Sequence, residues 1–296
     1  MTASPLPVPA GSGPFDSTAQ LMTQITTQLA SQLSHLTLRG TRRPGEPSGP
    51  PRRRPPTLVA VAHGSRDPRA PRTVTALLDR VRAQCPGLPV RLAHIELNEP
   101  LLGDTLAALR GEAVLVPLLF SRGYHVKHDL PAAAAAARHL RARVAAPLGP
   151  HPLLVEALYD RLTEAGWRTP APHGAGLVLA AAGSRDPDSG IDTARTAALL
   201  STRLGGVPVL PGYACATGPG APTVPEAVRA LAAHGRDRIA VASCFTAPGR
   251  FAAECAAASP GIAAAPLGDH PALARLVLHR YAEALAPATA HLPRTA

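Results

Sequence analysis

Two histidines and a glutamate in the first half of the chain stand where metal or proton chemistry is possible. His63 follows the apolar run LVAVA (58–62), Glu96 closes PVRLAHIEL (89–97), and His125 lies in FSRGYHVKHDLP, just after AVLVPLLF (113–120). If each run is a strand of one parallel sheet, all three residues fall at carboxyl ends, where such sheets bind ligands. Two imidazoles and a carboxylate converging on one crevice suit a divalent first-row metal with coordination positions left open. Glu96 or an unligated imidazole also accepts protons near neutral pH. Each residue alone has a plainer reading: a histidine at a strand end is commonly a hydrogen-bonded structural group, and Glu96 could cap a helix or sit in water. His128 is either a further ligand or a solvent-facing residue at a helix start. His151 and His270 recur in matched PLGPHP and PLGDHP turns and read as helix-entry residues. HGSR before a helix also suits a phosphate-binding loop, although it lacks the glycine richness of a P-loop.

The elements that must position these groups alternate. PRTVTALLDRVRAQ (71–84) puts Val74, Leu77, Leu78 and Val81 on one helical face, and PLLGDTLAAL (100–109) reads as a second helix. PAAAAAARHLRARV (131–144) reads as a helix opening on Pro131, followed by a strand near 144–147 and a helix at 151–166. Apolar strands between amphipathic helices predict a parallel sheet covered on both faces. The second half repeats the order: strand 177–181, helix near 190–204, strands 207–211 and 238–244, helix 270–285. AHGSRDP (62–68) returns as AAGSRDP (181–187) and APLGPHP (146–152) as APLGDHP (265–271), both at an offset of 119. This is a tandem duplication. The expected fold is α/β, with two tandem similar lobes, each a small parallel sheet flanked by helices, and an active-site cleft between them. The expected divisions are a tail at 1–56, an active lobe at 57–172 and a degenerate lobe at 173–296.

The copies differ where chemistry would sit. His63 corresponds to Ala182 although GSRDP is intact. With Phe120 aligned on Phe245, His125 corresponds to Arg250, and GYACATGPG (212–220) offers no acid for Glu96. Structural residues would be needed in both copies, so one working site and one degenerate copy are expected.

Composition narrows the classes. Of 296 residues 46% are apolar and 17% charged, which excludes a wholly disordered chain. No run approaches the roughly 18–20 apolar residues of a membrane span, so no membrane partner is expected. MTASPLPVPAGSGPFD lacks a basic segment followed by an apolar one, and no signal peptide is expected. Four cysteines without a CxxC pair predict neither a disulfide framework nor a structural zinc site, which fits a reducing, cytoplasmic setting. The net charge is +10; residues 1–56 contribute six arginines, two acids and 10 of the 34 prolines, and should be disordered or extended apart from a short amphipathic stretch at 17–36. Lys127 is the one lysine, so the positive charge is nearly all guanidinium. That suits bidentate pairing with a polyanionic small molecule, or simply reflects GC-rich codon use. Without an aromatic stacking platform, nucleic acid is not an expected partner.

AHGSRDPRA, IELNEP, PLLFSRGYHVKHDLP and PLGPHP together resemble the class II tetrapyrrole chelatases, specifically CbiX-like sirohydrochlorin chelatases in their two-copy form, over about residues 57–290. The resemblance implies ATP-independent insertion of a divalent metal into sirohydrochlorin: Fe2+ for sirohaem, or alternatively Co2+ for a cobalamin precursor. It implies that His63 and His125 ligate the metal and that Glu96 assists, the three forming the catalytic set. Sirohydrochlorin carries eight carboxylates, for which Arg66, Arg122, Arg185 and Arg250 are the expected partners. The metal is then a substrate, no tightly bound cofactor is expected, and a fused two-copy chain replaces a homodimer, so a monomer is expected. Two other classes remain: a non-catalytic tetrapyrrole or metal carrier, needing the histidines but no base, and a phosphate-binding hydrolase built on HGSR.

Overall fold

The first copy runs β1 (Thr57–Ala62), α1 (Arg69–Gln84), β2 (Val90–His94), α2 (Leu102–Ala108), β3 (Gly111–Pro117), a π-helical turn (His125–Asp129), α3 (Leu130–Ala136), β4 (Leu140–Val144) and α4 (Pro152–Glu164). The second runs β5 (Ala175–Ala181), α5 (Pro187–Arg203), β6 (Val209–Tyr213), α6 (Val224–Ala233), β7 (Arg238–Ser243), α7 (Arg250–Ala257) and α8 (Pro271–Leu285). This computed structural model describes residues 54–215 and 221–287. The expected Pro/Arg-rich tail up to residue 53, with its amphipathic stretch at 17–36, lies outside the described residues.

Both sheets are parallel, in the orders β2-β1-β3-β4 and β6-β5-β7. Their central strands, TLVAVA and AGLVLAA, are almost wholly buried, as continuous apolar runs covered on both faces must be. One apolar cluster takes Leu58 and Val116 from the first sheet and Leu177 and Ala242 from the second. Leu77 (α1), Leu158 (α4), Leu200 (α5) and Leu276 (α8) join it. These four helices therefore fill the space between the sheets. The outer faces pack separately: Val59, Val61 and Leu115 with Leu106 and Leu130, and Val178 and Val241 with Val224, Leu231 and Cys255. The copies share their largest core, so the duplicated halves are not two independently packed lobes.

The central layer obeys a pseudo-two-fold relation. Arg161 donates to the Leu267 carbonyl at 2.8 Å, and its counterpart Arg280 donates to the Leu148 carbonyl at 3.4 Å. His151 and His270 each accept a backbone N–H at Nδ1, from Leu153 (3.1 Å) and Ala272 (3.2 Å), and so open α4 and α8 as expected. Glu156 and Arg275 are the same position in the two copies, and they pair with each other.

Two differences from the sequence expectation stand out. The helix expected over 131–144 ends at Ala136, and Leu140–Val144 forms β4, with Leu140 buried and Arg141 and Arg143 exposed. Alanines and arginine stems mask that period-two alternation. The second copy has an isolated bridge, Val241 to Ala263, where the first has β4, so its sheet has three strands among the described residues.

Two outcomes follow from these contacts. Glu156→Arg sets two guanidinium groups against each other; with side chains about 40% exposed, the cost is about 1 kcal/mol, or roughly 3 °C in melting temperature, and adding Arg275→Glu recovers it. Burial, then the charges of His279 and Arg280, push the His151 imidazole down to about 4 against the opposing pull of Glu283. The unfolded chain takes up that proton near pH 6.5 and the folded chain only near 4, so stability is lost as pH falls through this window. His151→Asn, which keeps an acceptor for the Leu153 N–H, flattens that part of a melting-temperature profile.

Candidate functional site

The site is built where β1 ends. Glu96 N–H donates to the His63 carbonyl at 3.0 Å, which ties the loop after β2 across the loop after β1. A Cβ on Gly64 (φ 111°) would collide with the Glu96 carbonyl, so only glycine lets these backbones cross. Asn98 pins the crossing by accepting the Ser65 N–H at 2.7 Å. Leu97 is the one non-glycine residue at positive φ (67°) among the described residues, and backbone strain of that kind collects at functional sites.

The crossing places Glu96 Oε1 3.4 Å from His63 Nδ1. The His63 and His125 ring centroids are 4.9 Å apart, nearly perpendicular. His125 lies in the π-helical turn, a form that recurs at functional sites, and its Nδ1 is 2.6 Å from Asp129 Oδ2. Asp129 on Nδ1 of His125 favours the Nδ1–H tautomer of that ring and leaves its Nε2 as the electron-pair donor, while Glu96 stands at ion-pair distance from His63 Nδ1. Desolvation and the neighbouring His125 lower the His63 pKa against the opposing pull of Glu96. Asp129 is missing from the sequence-based set; its place four residues after His125 is the one signal that points to it. Among the described residues, no group of three or more His, Cys, Asp or Glu side chains forms a metal cage. The arrangement offers two imidazole donors and leaves most of a coordination sphere to other ligands.

The copies meet here reciprocally. A Cβ on Gly123 would lie 3.3 Å from Ser184 Oγ, and one on Gly249 3.3 Å from Ser65 Oγ. Each GSR loop therefore abuts the glycine turn of the other copy. Arg66, Arg185 and Arg250 are exposed around this meeting place, Arg250 lying over the Phe251 ring at 4.8 Å. Arg122 is different. Its guanidinium is bound by Asp192 (2.7 and 2.9 Å), with Asp188 at 3.5 Å, which corrects its expected place among the open arginines. His128 is exposed and packs on Tyr124, with ring centroids 4.7 Å apart, not with the other two histidines. Leu97 and Tyr124, 53% and 63% exposed, are the most exposed large apolar residues described, and each adjoins a residue of the site.

Equivalent backbone contacts fix the correspondence between the copies. Glu96 N to His63 O matches Cys215 N to Ala182 O, whereas Leu118 N to Val61 O matches Cys244 N to Ala180 O, and Lys127 N to Gly123 O matches Ala253 N to Gly249 O. After β3 the offset is therefore 126, not 125. Tyr124 faces Arg250, and the counterpart of His125 is Phe251, correcting the alignment on Phe120. The set His63, Glu96, His125, Asp129 becomes Ala182, Cys215, Phe251, Cys255 in the second copy, with the Cys255 thiol pushed up to about 11, chiefly by burial.

The CbiX family model matches residues 57–165 and again 176–284. The sirohydrochlorin ferrochelatase of Bacillus subtilis is 31% identical over 172 residues, covering 55% of this chain and 64% of that protein. The sirohydrochlorin cobaltochelatase of Methanosarcina barkeri is 30% identical over 78 residues, 25% of this chain and 60% of that protein. The chain thus spans less than two thirds of the length of either. Among solved structures, SirB from Bacillus subtilis with Fe3+ superposes with a TM-score of 0.60 at 24% identity, over 78% of this chain and 95% of the other, which speaks to the fold.

Removing the carboxylate behind one imidazole isolates its contribution. Asp129→Asn weakens Co2+ binding by about 10- to 100-fold without a comparable loss of thermal stability, read by calorimetric titration and melting temperature.

Proposed function

The chain belongs to the CbiX family, and from that premise we propose that it inserts a divalent metal, ferrous iron, into sirohydrochlorin without ATP. The observation that carries this reading is the pair of imidazoles with centroids 4.9 Å apart, each backed by a carboxylate, present in the first copy alone. Nε2 of His63 and of His125 hold the incoming ion. The macrocycle supplies four nitrogens, and two pyrrolic N–H protons leave as the ion enters, so charge balances with one M2+ taken up for two H+ released. Glu96, about half exposed and next to His63, accepts a proton and passes it to solvent.

Three groups suit the rest of the substrate. Arg66, Arg185 and Arg250 stand exposed where the copies meet, and a guanidinium pairs with a carboxylate in bidentate fashion. Arg122, already held by two aspartates, does not take that role. Leu97 and Tyr124, next to Glu96 and His125 in the chain, offer exposed apolar surface to the flat face of a tetrapyrrole. Imidazole and carboxylate donors do not discriminate Fe2+ from Co2+, so insertion of cobalt is the second reading, favoured by the same donor set. The chain is read as a monomer in the cytoplasm, since the fused copies already bury the surface a single-copy protein would share with its twin.

Insertion assays with sirohydrochlorin and Fe2+ or Co2+ decide the matter. His63→Ala and His125→Ala are expected to lose about 100-fold or more in rate, and Glu96→Gln about 10- to 100-fold while still binding metal. Arg250→Ala is expected to raise KM for sirohydrochlorin with little effect on kcat. Full rates in all three site variants would defeat the assignment, and tetrapyrrole binding by the wild type without insertion would identify a carrier.

A further inference from the structure

The segment that bears His125 is anchored at both ends by the second copy. Ser121 Oγ lies 2.8 Å from Ser189 Oγ. Arg122 gives Asp192 three hydrogen bonds, from its backbone N–H (2.9 Å), Nε (2.9 Å) and a terminal nitrogen (2.7 Å), and the other terminal nitrogen is 3.5 Å from Asp188. Lys127 Nζ, two residues past His125, is 2.8 Å from Asp186 and 2.7 Å from Asp188. The Asp192 side chain is 2% exposed, so it is an ion-pair member that cannot relax into water. All three acids sit at the start of α5, Asp186 as its N-cap.

No reciprocal strap exists. At the offset of 119, Asp186, Asp188 and Asp192 correspond to Asp67, Arg69 and Thr73, and Asp67 is held by Arg69 at 2.7 Å. At the offset of 126, Arg122 and Lys127 correspond to Pro248 and Ala253. The copy that lacks the metal-ligating groups holds the three acids, and the copy that has those groups holds the two cations.

We propose that the second copy acts as the positioning half of the site, with Asp186, Asp188 and Asp192 holding the His125 turn at its distance from His63 through Arg122 and Lys127. This rests on the reading that His63 and His125 bind the substrate metal. The acids touch neither metal nor tetrapyrrole, so they are positioning residues. Their loss loosens the second imidazole and leaves the tetrapyrrole-binding surface unchanged.

The test uses the full chain, with Co2+ affinity by calorimetry, insertion kcat and KM, and melting temperature. Lys127→Gln removes the cation but keeps an amide that can donate to Asp186, whose side chain is 13% exposed, and is expected to lower Co2+ affinity and kcat about tenfold with KM for sirohydrochlorin unchanged and a smaller drop in melting temperature than Asp192→Asn. Lys127→Arg, which keeps the cation, is expected to restore both. Asp192→Asn is expected to act in the same direction with a larger loss. Wild-type Co2+ affinity and kcat in Lys127→Gln, alongside a deficient His125→Ala, would overturn the positioning role and leave the metal site standing. Wild-type Co2+ affinity in His125→Ala would instead overturn the metal-site reading and the positioning role with it.

Discussion

Four helices packed between two sheets are the constraint from which the rest of the architecture follows. Each sheet has one face that only this layer covers, and Leu77, Leu158, Leu200 and Leu276 reach into the same cluster from four different helices. Neither sheet could lose its partner without exposing that face to water, at about 25 cal/mol for every Å² uncovered. The reciprocal bonds of Arg161 and Arg280 to the Leu267 and Leu148 carbonyls then fix how the copies are rotated about their pseudo-axis. That rotation is what brings the GSR loop of one copy against the glycine turn of the other. The meeting of those loops is a consequence of the core.

Covalent fusion let the two copies diverge in ways a symmetric pair cannot. At a two-fold axis a residue faces its own copy, so a glutamate would meet a glutamate. Here the equivalent positions carry Glu156 and Arg275, and repulsion becomes attraction. The same freedom separates the functional groups. His63, Glu96, His125 and Asp129 stand in one copy, while the acids that grip the His125 turn stand in the other. The contact of each glycine turn with the other copy's GSR loop remains reciprocal, Gly123 meeting Ser184 as Gly249 meets Ser65. On the proposed reading, the scaffold is double and the chemistry single.

Much of this was legible in the sequence because the signals are local. Apolar runs gave the central strands, Val74, Leu77, Leu78 and Val81 gave the buried stripe of α1, and the repeated GSRDP and PLGxHP segments gave the duplication. His63, Glu96 and His125 were found because each follows or closes an apolar run at the carboxyl edge of a sheet. What escaped depends on distance in space. Arg122 looked like an open guanidinium because its partner Asp192 lies 70 residues away. β4 was hidden because arginine stems and alanines suit a helix as well as an edge strand. Aligning Phe120 on Phe245 puts the segment after β3 one residue out of register, and only the hydrogen-bond register resolves it. Asp129 is the exception: its spacing from His125 is local, but a π-helical turn is not what four-residue spacing leads one to expect.

On the proposed reading, in which the metal is passed on to a tetrapyrrole, so small a set of ligands has a physical reason. A structural metal site closes its coordination sphere and holds the ion for good. An ion that must pass to a macrocycle needs vacant positions through which the pyrrole nitrogens can bind before the protein lets go. Imidazole is an uncharged ligand, so two of them leave the ion its full double charge, which favours its transfer to a ligand that becomes a dianion on losing two protons. Placing Asp129 on Nδ1 of His125, not on the ion, raises the donor strength of that ring without adding a carboxylate that would have to be displaced, and Glu96 likewise stands on the Nδ1 side of His63. The demand then falls on geometry, since two donors locate an ion only as well as the rings themselves are located. His63 is fixed by the crossing of two loops over Gly64. His125 sits in a turn of a less common kind, and the ion pairs of Arg122 and Lys127 supply from outside what its own backbone does not.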